Sequence, residues 1–282
     1  MKKIFLCALS GFVAMSAFAQ QASYIPVDAA TMGLAGTTVG RNSGAYAAEY
    51  NAATMSLAKE KIGIGLSYGN WAPKTAANTA ISLGGMFDIT DKLSFGLYGK
   101  FMKDKNASVL TNANGVVAGE VYPNELLGGL GVSYEIVNGL SIGIGGRYAS
   151  ATFSDDVKSS AFGVDVTAAF STGGLMVGLG VSTLPDIARV GASYTVAGLT
   201  ASVEADYQFS GGIMAAGSLE YSIVDMVFVR AGYHFGTDKA PLPSYASLGV
   251  GVNLSGIHLD VAYLLASETI GNSLCVGLGY SF

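Results

Sequence analysis

Large apolar residues alternate with small or polar ones along most of this chain, and the last ten residues show the pattern most clearly. One face of that stretch carries large apolar and aromatic side chains, and the other carries serine, cysteine and glycine. Such strict alternation indicates a β-strand with one apolar face. The pattern recurs in nearly every segment, and that many apolar faces cannot share one core. They can all face lipid if the sheet closes into a barrel. The apolar face of the last stretch comprises Leu274, Val276, Leu278, Tyr280 and Phe282.

Alternation and turn signals together predict fourteen strands, an even number, as single-chain bacterial barrels require. The predicted strands are 61–69, 79–88, 92–102, 125–136, 139–150, 160–171, 174–183, 187–196, 199–209, 212–223, 226–236, 245–254, 257–266 and 273–282. Spans of about 9–11 residues are long enough to cross the hydrocarbon layer at a tilt. After residue 19, no run of about 18 residues is uniformly apolar, which excludes a bundle of membrane-spanning helices.

The predicted connections alternate between tight turns and longer loops. Tight turns of the Asn-Gly and Gly-Gly kind are expected at 88–91, 137–139, 172–174, 197–198, 224–225 and 255–256. The other set is mostly longer and comprises 103–124, 151–159, 184–186, 237–244 and 267–272. Short periplasmic turns and longer outer loops are the asymmetry expected of an outer-membrane barrel, with the C-terminus on the periplasmic side.

The first nineteen residues are typical of a secretory signal peptide. Two lysines give a positive start, residues 4–18 are apolar, and Ala17 and Ala19 form an A-x-A cleavage site. We therefore expect export and a mature chain that begins at Gln20. Without the two lysines the formal net charge moves from −5 to −7, which argues against nucleic-acid binding. One cysteine, Cys275, would remain, so no intramolecular disulfide is predicted.

Several charged residues fall at inward-facing positions of the predicted strands. Folding the strands about their turns gives three pairs of opposite charge: Arg189 with Asp206, Glu220 with Arg230, and Arg147 with Asp165. Opposite charges on neighbouring strands stabilise each other. Two interpretations stay open: the pairs neutralise one another in a narrow lumen, or they form a charged constriction that selects solutes. The predicted lumen residues are Arg147, Asp165, Arg189, Glu204, Asp206, Glu220, Arg230, His234 and Asp260.

Nothing in the sequence predicts an enzyme. Serine hydrolases need a serine–histidine pair with an orienting third group, and the only histidines, His234 and His258, both face the lumen by parity. His258 is expected near Asn253, across a turn. Two histidines, one lumenal cysteine and scattered carboxylates lack the spacing of a metal site, so neither a metal nor a cofactor is predicted.

Residues 20–60 do not alternate and differ in character from the rest of the chain. The first part is small and glycine-rich, and the second is compatible with a short helix or turns. About eight strands already fill a barrel with their own side chains, so a wider barrel has room for more chain. We predict an all-β protein in three parts: a signal peptide at 1–19, an N-terminal lumen plug at 20–60 and a transmembrane antiparallel β-barrel at 61–282. The candidate plug residues are Met32, Gly33, Gly36, Asn51 and Ala53.

Two stretches of this segment resemble a known signature. Residues 32–36, Met-Gly-Leu-Ala-Gly, and 50–58, Tyr-Asn-Ala-Ala-Thr-Met-Ser-Leu-Ala, are similar to the N-terminal motif of the FadL-like superfamily, in particular its PorV/PorQ branch. That motif is close to A-x-x-M-G-G-A … A-x-x-x-N-P-A-G-L-A. This chain departs from it in having Ala52 after Asn51, where the motif has proline. The resemblance implies the same number of strands and an N-terminal plug.

The resemblance also implies a function that involves no catalysed reaction. In the FadL branch the barrel passes hydrophobic molecules, the plug moves, and the ligand leaves sideways through the wall. The leading hypothesis is therefore passive transport of hydrophobic or amphipathic small molecules across the outer membrane of a Gram-negative bacterium, with outer-membrane lipid around the barrel.

The alternative is an accessory barrel, as the PorV/PorQ branch implies. Such a barrel binds other outer-membrane or secretion-complex proteins, of the type IX apparatus or a related assembly. We expect a partner-binding barrel to display apolar residues on its outer loops. The residues available for this are Val109, Leu110, Val116, Val117, Val121, Tyr122, Leu242 and Tyr245.

Overall fold

The computed structural model describes residues 24–71, 78–105, 108–111, 117–154, 157–224, 226–266 and 271–282. Fourteen strands form a closed antiparallel barrel in which the last strand pairs with the first. Closure gives every barrel strand two partners, so the barrel has no free edge. The predicted signal peptide lies outside the described residues.

The barrel strands and the elements around them have the following bounds. Among the described residues, four short helices precede the barrel: α1 (Ala29–Gly33), the 3₁₀ helix η1 (Gly44–Tyr46), α2 (Ala47–Tyr50) and the 3₁₀ helix η2 (Ala52–Leu57). The barrel comprises β1 (Ile62–Trp71), β2 (Asn78–Thr90), β3 (Leu93–Lys103), β6 (Asn124–Val137), β7 (Leu140–Thr152), β8 (Lys158–Thr172), β9 (Leu175–Thr183), β10 (Asp186–Val196), β11 (Leu199–Gln208), β12 (Ile213–Ile223), β13 (Val227–Gly236), β14 (Tyr245–Leu254), β15 (Ile257–Leu265) and β16 (Ser273–Ser281). A separate hairpin comprises β4 (Ser108–Thr111) and β5 (Val117–Val121).

The predicted number of barrel strands is confirmed, and the predicted boundaries agree with the observed ones to within two residues. The prediction of 103–124 as a plain loop is wrong in part, because β4 and β5 lie within it and pair with each other. The signal that was passed over is an Asn-Gly dipeptide at 114–115, which favours a hairpin.

The two rims of the barrel differ in their connections. At the short-turn rim, turns of two or three residues join β2 to β3, β6 to β7, β8 to β9, β10 to β11, β12 to β13 and β14 to β15, and β16 ends there. At the long-loop rim most connections are longer, among them 104–123 and 237–244. The predicted alternation of tight and longer connections is thus confirmed. Gly198 and Gly256 take φ values of +80° and +86° in two of the tight turns, a conformation that favours glycine.

The outer and inner faces of the barrel differ as the alternation predicts. On β1, Ile64 and Leu66 are 55% and 50% exposed, whereas Ser67 is 2% exposed. Large apolar side chains lie exposed around the whole outer surface, and a continuous apolar belt fits lipid rather than water. Among the described residues, no helix is long and apolar enough to span a membrane. Outward aromatic residues are Tyr134, Tyr148, Phe170, Tyr194, Tyr207, Tyr221, Tyr233, Tyr263 and Tyr280.

Residues 24–60, which we call the N-terminal segment, run across the inward faces of the strands. Helix α1 packs against β14 and β15, and η2 packs against β6 and β7. Inward-facing glycines allow this close approach. A Cβ atom at Gly178 would lie 1.7 Å from the Val39 carbonyl oxygen, and one at Gly143 would lie 2.5 Å from Ala53 N. Because backbone meets backbone at both places, no larger residue fits there without a shift of the chain.

We expect Gly178→Val to displace the N-terminal segment or to block barrel assembly, because the new side chain would collide with the Val39 carbonyl. Overpacking an interior costs about 1–3 kcal/mol, and a backbone clash offers no flexible atom that yields. Gly146→Val is the matched control, since nothing lies within 4 Å of a Cβ atom at outward-facing Gly146. Heat-modifiable mobility in gel electrophoresis and thermal unfolding measure the effect. Equal stability of the two variants would contradict this packing.

Candidate functional site

The residues predicted to line the lumen all lie on the inner face of the barrel, where each is buried or half-buried. They are spread over seven of the fourteen barrel strands. Their positions are Arg147 on β7, Asp165 on β8, Arg189 on β10, Glu204 and Asp206 on β11, Glu220 on β12, Arg230 and His234 on β13, and Asp260 on β15.

The predicted cross-strand charge pairs are confirmed. Arg189 and Asp206 are register partners, with 3.8 Å between Arg189 Nε and Asp206 Oδ2. Glu220 and Arg230 are also register partners, and Arg230 Nε donates to Glu220 Oε2 at 2.5 Å. Arg230 donates a second hydrogen bond to Asp260. These side chains are largely buried, where a charge without a partner is strongly disfavoured.

An ion pair between Lys100 and Glu49 links the wall to the N-terminal segment. The sequence analysis did not predict it. Lys100 Nζ donates to Glu49 Oε1 at 2.5 Å and to the Ile25 carbonyl at 2.8 Å, and the two charged side chains are 1% and 3% exposed. Arg147 donates to the Glu49 carbonyl at 3.0 Å and to Asp165 Oδ2 at 2.7 Å. The two cations and two carboxylates thus form a neutral buried network that fixes α2 to β3, β7 and β8.

Acidic side chains hold the N-terminal segment on the other side of the barrel. Glu204 Oε2 accepts hydrogen bonds from the backbone nitrogens of Thr38 at 2.5 Å and Val39 at 2.8 Å. Arg41 Nη2 donates to Glu220 Oε1 at 3.0 Å. A carboxylate that accepts two backbone N–H groups makes a strong, charge-assisted contact. None of the three residues of the N-terminal segment was a predicted site residue.

The N-terminal segment and the wall are therefore complementary in charge. Glu49 faces the cations Lys100 and Arg147, whereas Arg41 faces the carboxylate of Glu220. Rotating the segment inside the barrel would bring like charges together, which costs free energy in a buried site. Charge complementarity consequently fixes the orientation of the segment.

Three of the candidate plug residues lie close to β14. Met32 is 2% exposed, and a Cβ atom at Gly33 would lie 3.0 Å from Gly249 Cα. Gly36 has φ +83°, which a residue with a side chain rarely adopts. Glycine at these positions lets α1 and the turn after it approach the wall.

The other two candidate plug residues connect η2 to the rest of the structure. Asn51 caps η2, because its side-chain oxygen accepts from Ala53 N at 3.1 Å, and its Nδ2 donates to the Val39 carbonyl at 2.7 Å. Ala53 N also donates to Thr167 Oγ1 on β8 at 3.1 Å. The asparagine of the motif thus joins two parts of the N-terminal segment, and alanine in place of the motif's proline leaves the 3₁₀ helix intact.

Asp28 organises the first turn of α1. Its Oδ1 accepts from Thr31 N at 2.9 Å, and its Oδ2 accepts from the Tyr50 hydroxyl at 3.0 Å. Burial of the carboxyl raises the pKa of Asp28 above its usual range, although these hydrogen bonds oppose the shift. The same burial raises the pKa of Tyr50 well above its ordinary value.

The space left between the N-terminal segment and the wall is uneven. A cavity of about 370 Å³ lies at the short-turn rim, with Leu34 and Ala29 on one side and Arg230 and Asp260 on the other. Farther inside, two cavities measure only about 30 Å³ and 20 Å³. These inner spaces are the size of single water molecules.

Near the long-loop rim the inner wall is apolar and aromatic. Tyr245 stacks on His234 at 4.8 Å between ring centroids and meets the edge of Trp71 at 6.0 Å. Leu242 and Tyr245, which were considered for partner binding around the second loop, are not displayed, since they are 4% and 2% exposed. Tyr245 opens β14 at an inward position, and Leu242 packs beside it in the same core.

The other loop residues considered for partner binding are only partly described. Tyr122 is 47% exposed, and Val121 is half-buried. Val116 and the side chains of Val109, Leu110 and Val117 lie outside the described residues.

His258 lies where the sequence predicted, opposite Asn253. Its Nε2 is 2.6 Å from Ser281 Oγ, so a serine–histidine contact is present that the sequence analysis did not expect. The Asn253 side-chain oxygen accepts from Gly256 N at 3.1 Å. A catalytic triad also needs a group that orients the histidine, and no carboxylate hydrogen-bonds to His258 among the described residues. Among the described residues, no cluster of metal-ligating side chains is present.

The fold resembles that of solved transport barrels. A FadL homologue from Pseudomonas aeruginosa has a TM-score of 0.66 and 12% sequence identity, with 92% of this chain and 99% of that chain covered. The toluene transporter TbuX from Ralstonia pickettii has a TM-score of 0.70 and 12% identity over 90% of this chain and 98% of that chain. The toluene transporter TodX from Pseudomonas putida has a TM-score of 0.66 and 12% identity over 89% and 96%. No family model matches the sequence. No curated protein matches it.

At this level of identity the likeness is one of fold. It agrees with the closed barrel of fourteen strands that the sequence predicts, and two of these proteins are toluene transporters. The resemblance to the PorV/PorQ branch stays a prediction, and these structures do not support the accessory-subunit alternative.

We expect Lys100→Met to destabilise the barrel by about 3–5 kcal/mol, because it leaves the buried Glu49 carboxylate without its partner. Adding Glu49→Gln should restore most of the loss. Lys61→Met is the control, since Lys61 and Asp91 are 71% and 97% exposed and 3.9 Å apart. Urea unfolding followed by Trp71 fluorescence gives the free energies. If the double variant were no more stable than Lys100→Met, the ion pair would not be the cause.

Asp28 should make stability depend on pH. Folding favours its protonated form, so its contribution to the free energy of unfolding is complete below the usual aspartate pKa of about 4. That contribution is lost as pH rises from there through the raised pKa of the folded state. Asp28→Asn keeps an acceptor for Thr31 N and removes the titration. We expect wild type to lose stability relative to Asp28→Asn over this window in urea unfolding at a series of pH values. A constant difference between the two would refute the assignment.

Proposed function

We propose that this protein is a passive outer-membrane transport barrel for hydrophobic or amphipathic small molecules, with residues 20–60 as its plug. The observation that carries the proposal is a closed barrel with an apolar outer surface whose inner face is occupied by the N-terminal segment. The likeness in fold to a FadL homologue and to two toluene transporters supports it.

The proposal includes an orientation in the membrane. Export by the signal peptide at 1–19 delivers the chain to the outer membrane, and the short-turn rim faces the periplasm, as in other barrels of this class. The long-loop rim, with its apolar inner wall around Trp71 and Tyr245, then faces the outside and meets the incoming molecule first.

Transport requires the plug to move. A cavity of about 150 Å³ holds one benzene molecule, whereas the two inner cavities measure about 30 Å³ and 20 Å³. Among the described residues, the N-terminal segment is held by hydrogen bonds, ion pairs and apolar packing. These contacts can all break without the cleavage of a covalent bond. The cavity of about 370 Å³ at the short-turn rim has apolar and charged sides, which suits an amphipathic molecule on its way out.

The test is uptake by cells whose outer leaflet is lipopolysaccharide, since that leaflet is the barrier to hydrophobic molecules. Radiolabelled toluene and a long-chain fatty acid serve as probes, and a hydrophilic dye serves as the control. We expect the protein to raise uptake of at least one probe and not of the dye. No increase for either probe would overturn the proposed function.

An engineered disulfide between the plug and the wall tests in the same uptake assay whether the plug has to move. Thr37 Oγ1 and Ser218 Oγ are 2.6 Å apart, so Thr37→Cys/Ser218→Cys places two sulfurs within bonding reach in a Cys275→Ser background. Uptake should fall when the pair is oxidised and recover when it is reduced. Undiminished uptake with the disulfide formed would show that this part of the segment need not move.

A further inference from the structure

Four unpartnered polar atoms surround the inner cavity of about 30 Å³ between the N-terminal segment and the wall. The side chains that carry them, Arg189, Asp206, His234 and Tyr245, all line this cavity. Of the eleven buried side-chain atoms in the described chain that have no hydrogen-bond partner, four belong to this cavity: Arg189 Nε, Asp206 Oδ1, His234 Nε2 and Tyr245 OH. Buried polar atoms in folded proteins nearly always have a partner, so this coincidence calls for one in the cavity.

The four atoms form a balanced set of donors and acceptors. The backbone of Ala35 accepts from the His234 ring, and since Nε2 has no partner we assign the proton to Nδ1 and the lone pair to Nε2. His234 Nε2 and Asp206 Oδ1 therefore accept, while Arg189 Nε and the Tyr245 hydroxyl donate. A water molecule can donate two hydrogen bonds and accept two, so one molecule can provide a partner for each of the four atoms.

The size and charge of the cavity favour water over its competitors. A water molecule needs about 10–15 Å³ of such volume, which the cavity of about 30 Å³ provides. A dry void would leave His234 and Tyr245, which are 6% and 2% exposed, with unsatisfied polar atoms. A cation would meet the positive Arg189 Nε–H directly, which is repulsive.

We propose that this cavity is a built solvent site, in which an ordered water molecule links β10, β11, β13 and β14 beneath the N-terminal segment. The smaller cavity of about 20 Å³ continues the site, since it also borders Arg189 and Tyr50 and is lined by Asp165, whose Oδ1 has no partner among the described residues. Solvent thus forms part of the interface between the segment and this arc of the wall.

X-ray hydroxyl-radical footprinting of the full-length protein tests the solvent site, because radicals formed in a bound water oxidise the side chains that touch it. We expect His234 and Tyr245 to be oxidised despite their burial. Met55 is the internal control, since it is 0% exposed, lines none of the three cavities and is chemically the more reactive side chain. Oxidation of His234 and Tyr245 at or below the level of Met55 would overturn the proposal.

Two neighbouring alanines sharpen the test. Ala216 faces inward into the cavity as the register partner of Glu204, whereas Ala205 on the neighbouring strand is exposed on the outer face and does not line the cavity. Ala216→Val should fill the cavity and reduce labelling of His234 and Tyr245 to the Met55 level, while Ala205→Val should not. Equal labelling in the two variants would contradict the assignment. An anomalous-scattering peak in the cavity of crystals soaked in rubidium chloride would show that a cation occupies the site in place of water, and would overturn the proposal.

Discussion

Closure of the sheet is the constraint on which the rest of this structure depends. In lipid, each backbone N–H and C=O group needs an internal partner, and a barrel supplies one to every strand. Closure of fourteen strands creates an interior wider than their own side chains fill. The N-terminal segment occupies that interior, and glycines such as Gly178 give it the space to do so.

The second constraint is that buried charges need partners. Glu204 receives backbone N–H groups from Thr38 and Val39, and Lys100 is paired with Glu49. The segment therefore satisfies groups on the wall that cross-strand pairing alone leaves incomplete. Conversely, the wall satisfies backbone groups of a segment too short and irregular to bond itself. Each part depends on the other in the closed state.

The sequence predicts the barrel well because a strand has a period of two and tight turns have specific residues. Once the turn at 197–198 is recognised, counting residues back along the two strands places Arg189 opposite Asp206, both on the inward face. The ion pair between Lys100 and Glu49 could not be predicted in this way, because Glu49 lies in a segment without periodic alternation of apolar and polar residues. The burial of Tyr245 could not be predicted for a related reason: it follows a loop containing two prolines, and its inward position becomes evident only with the strand register.

Under the proposed function, the distribution of polarity along the interior limits what can pass. Trp71, Leu242 and Tyr245 form an apolar and aromatic patch near the long-loop rim, and charged pairs line the rest of the path, from Arg189 and Asp206 beside Tyr245 to Arg230 and Glu220 near the short-turn rim. A pure hydrocarbon would gain contacts at the patch and none along the charged wall, where it would separate groups that bond to the segment or, as proposed, to water. A molecule with one polar end would replace some of those bonds. The wall would thus favour amphipathic molecules over hydrocarbons at the step in which the segment leaves its charged part.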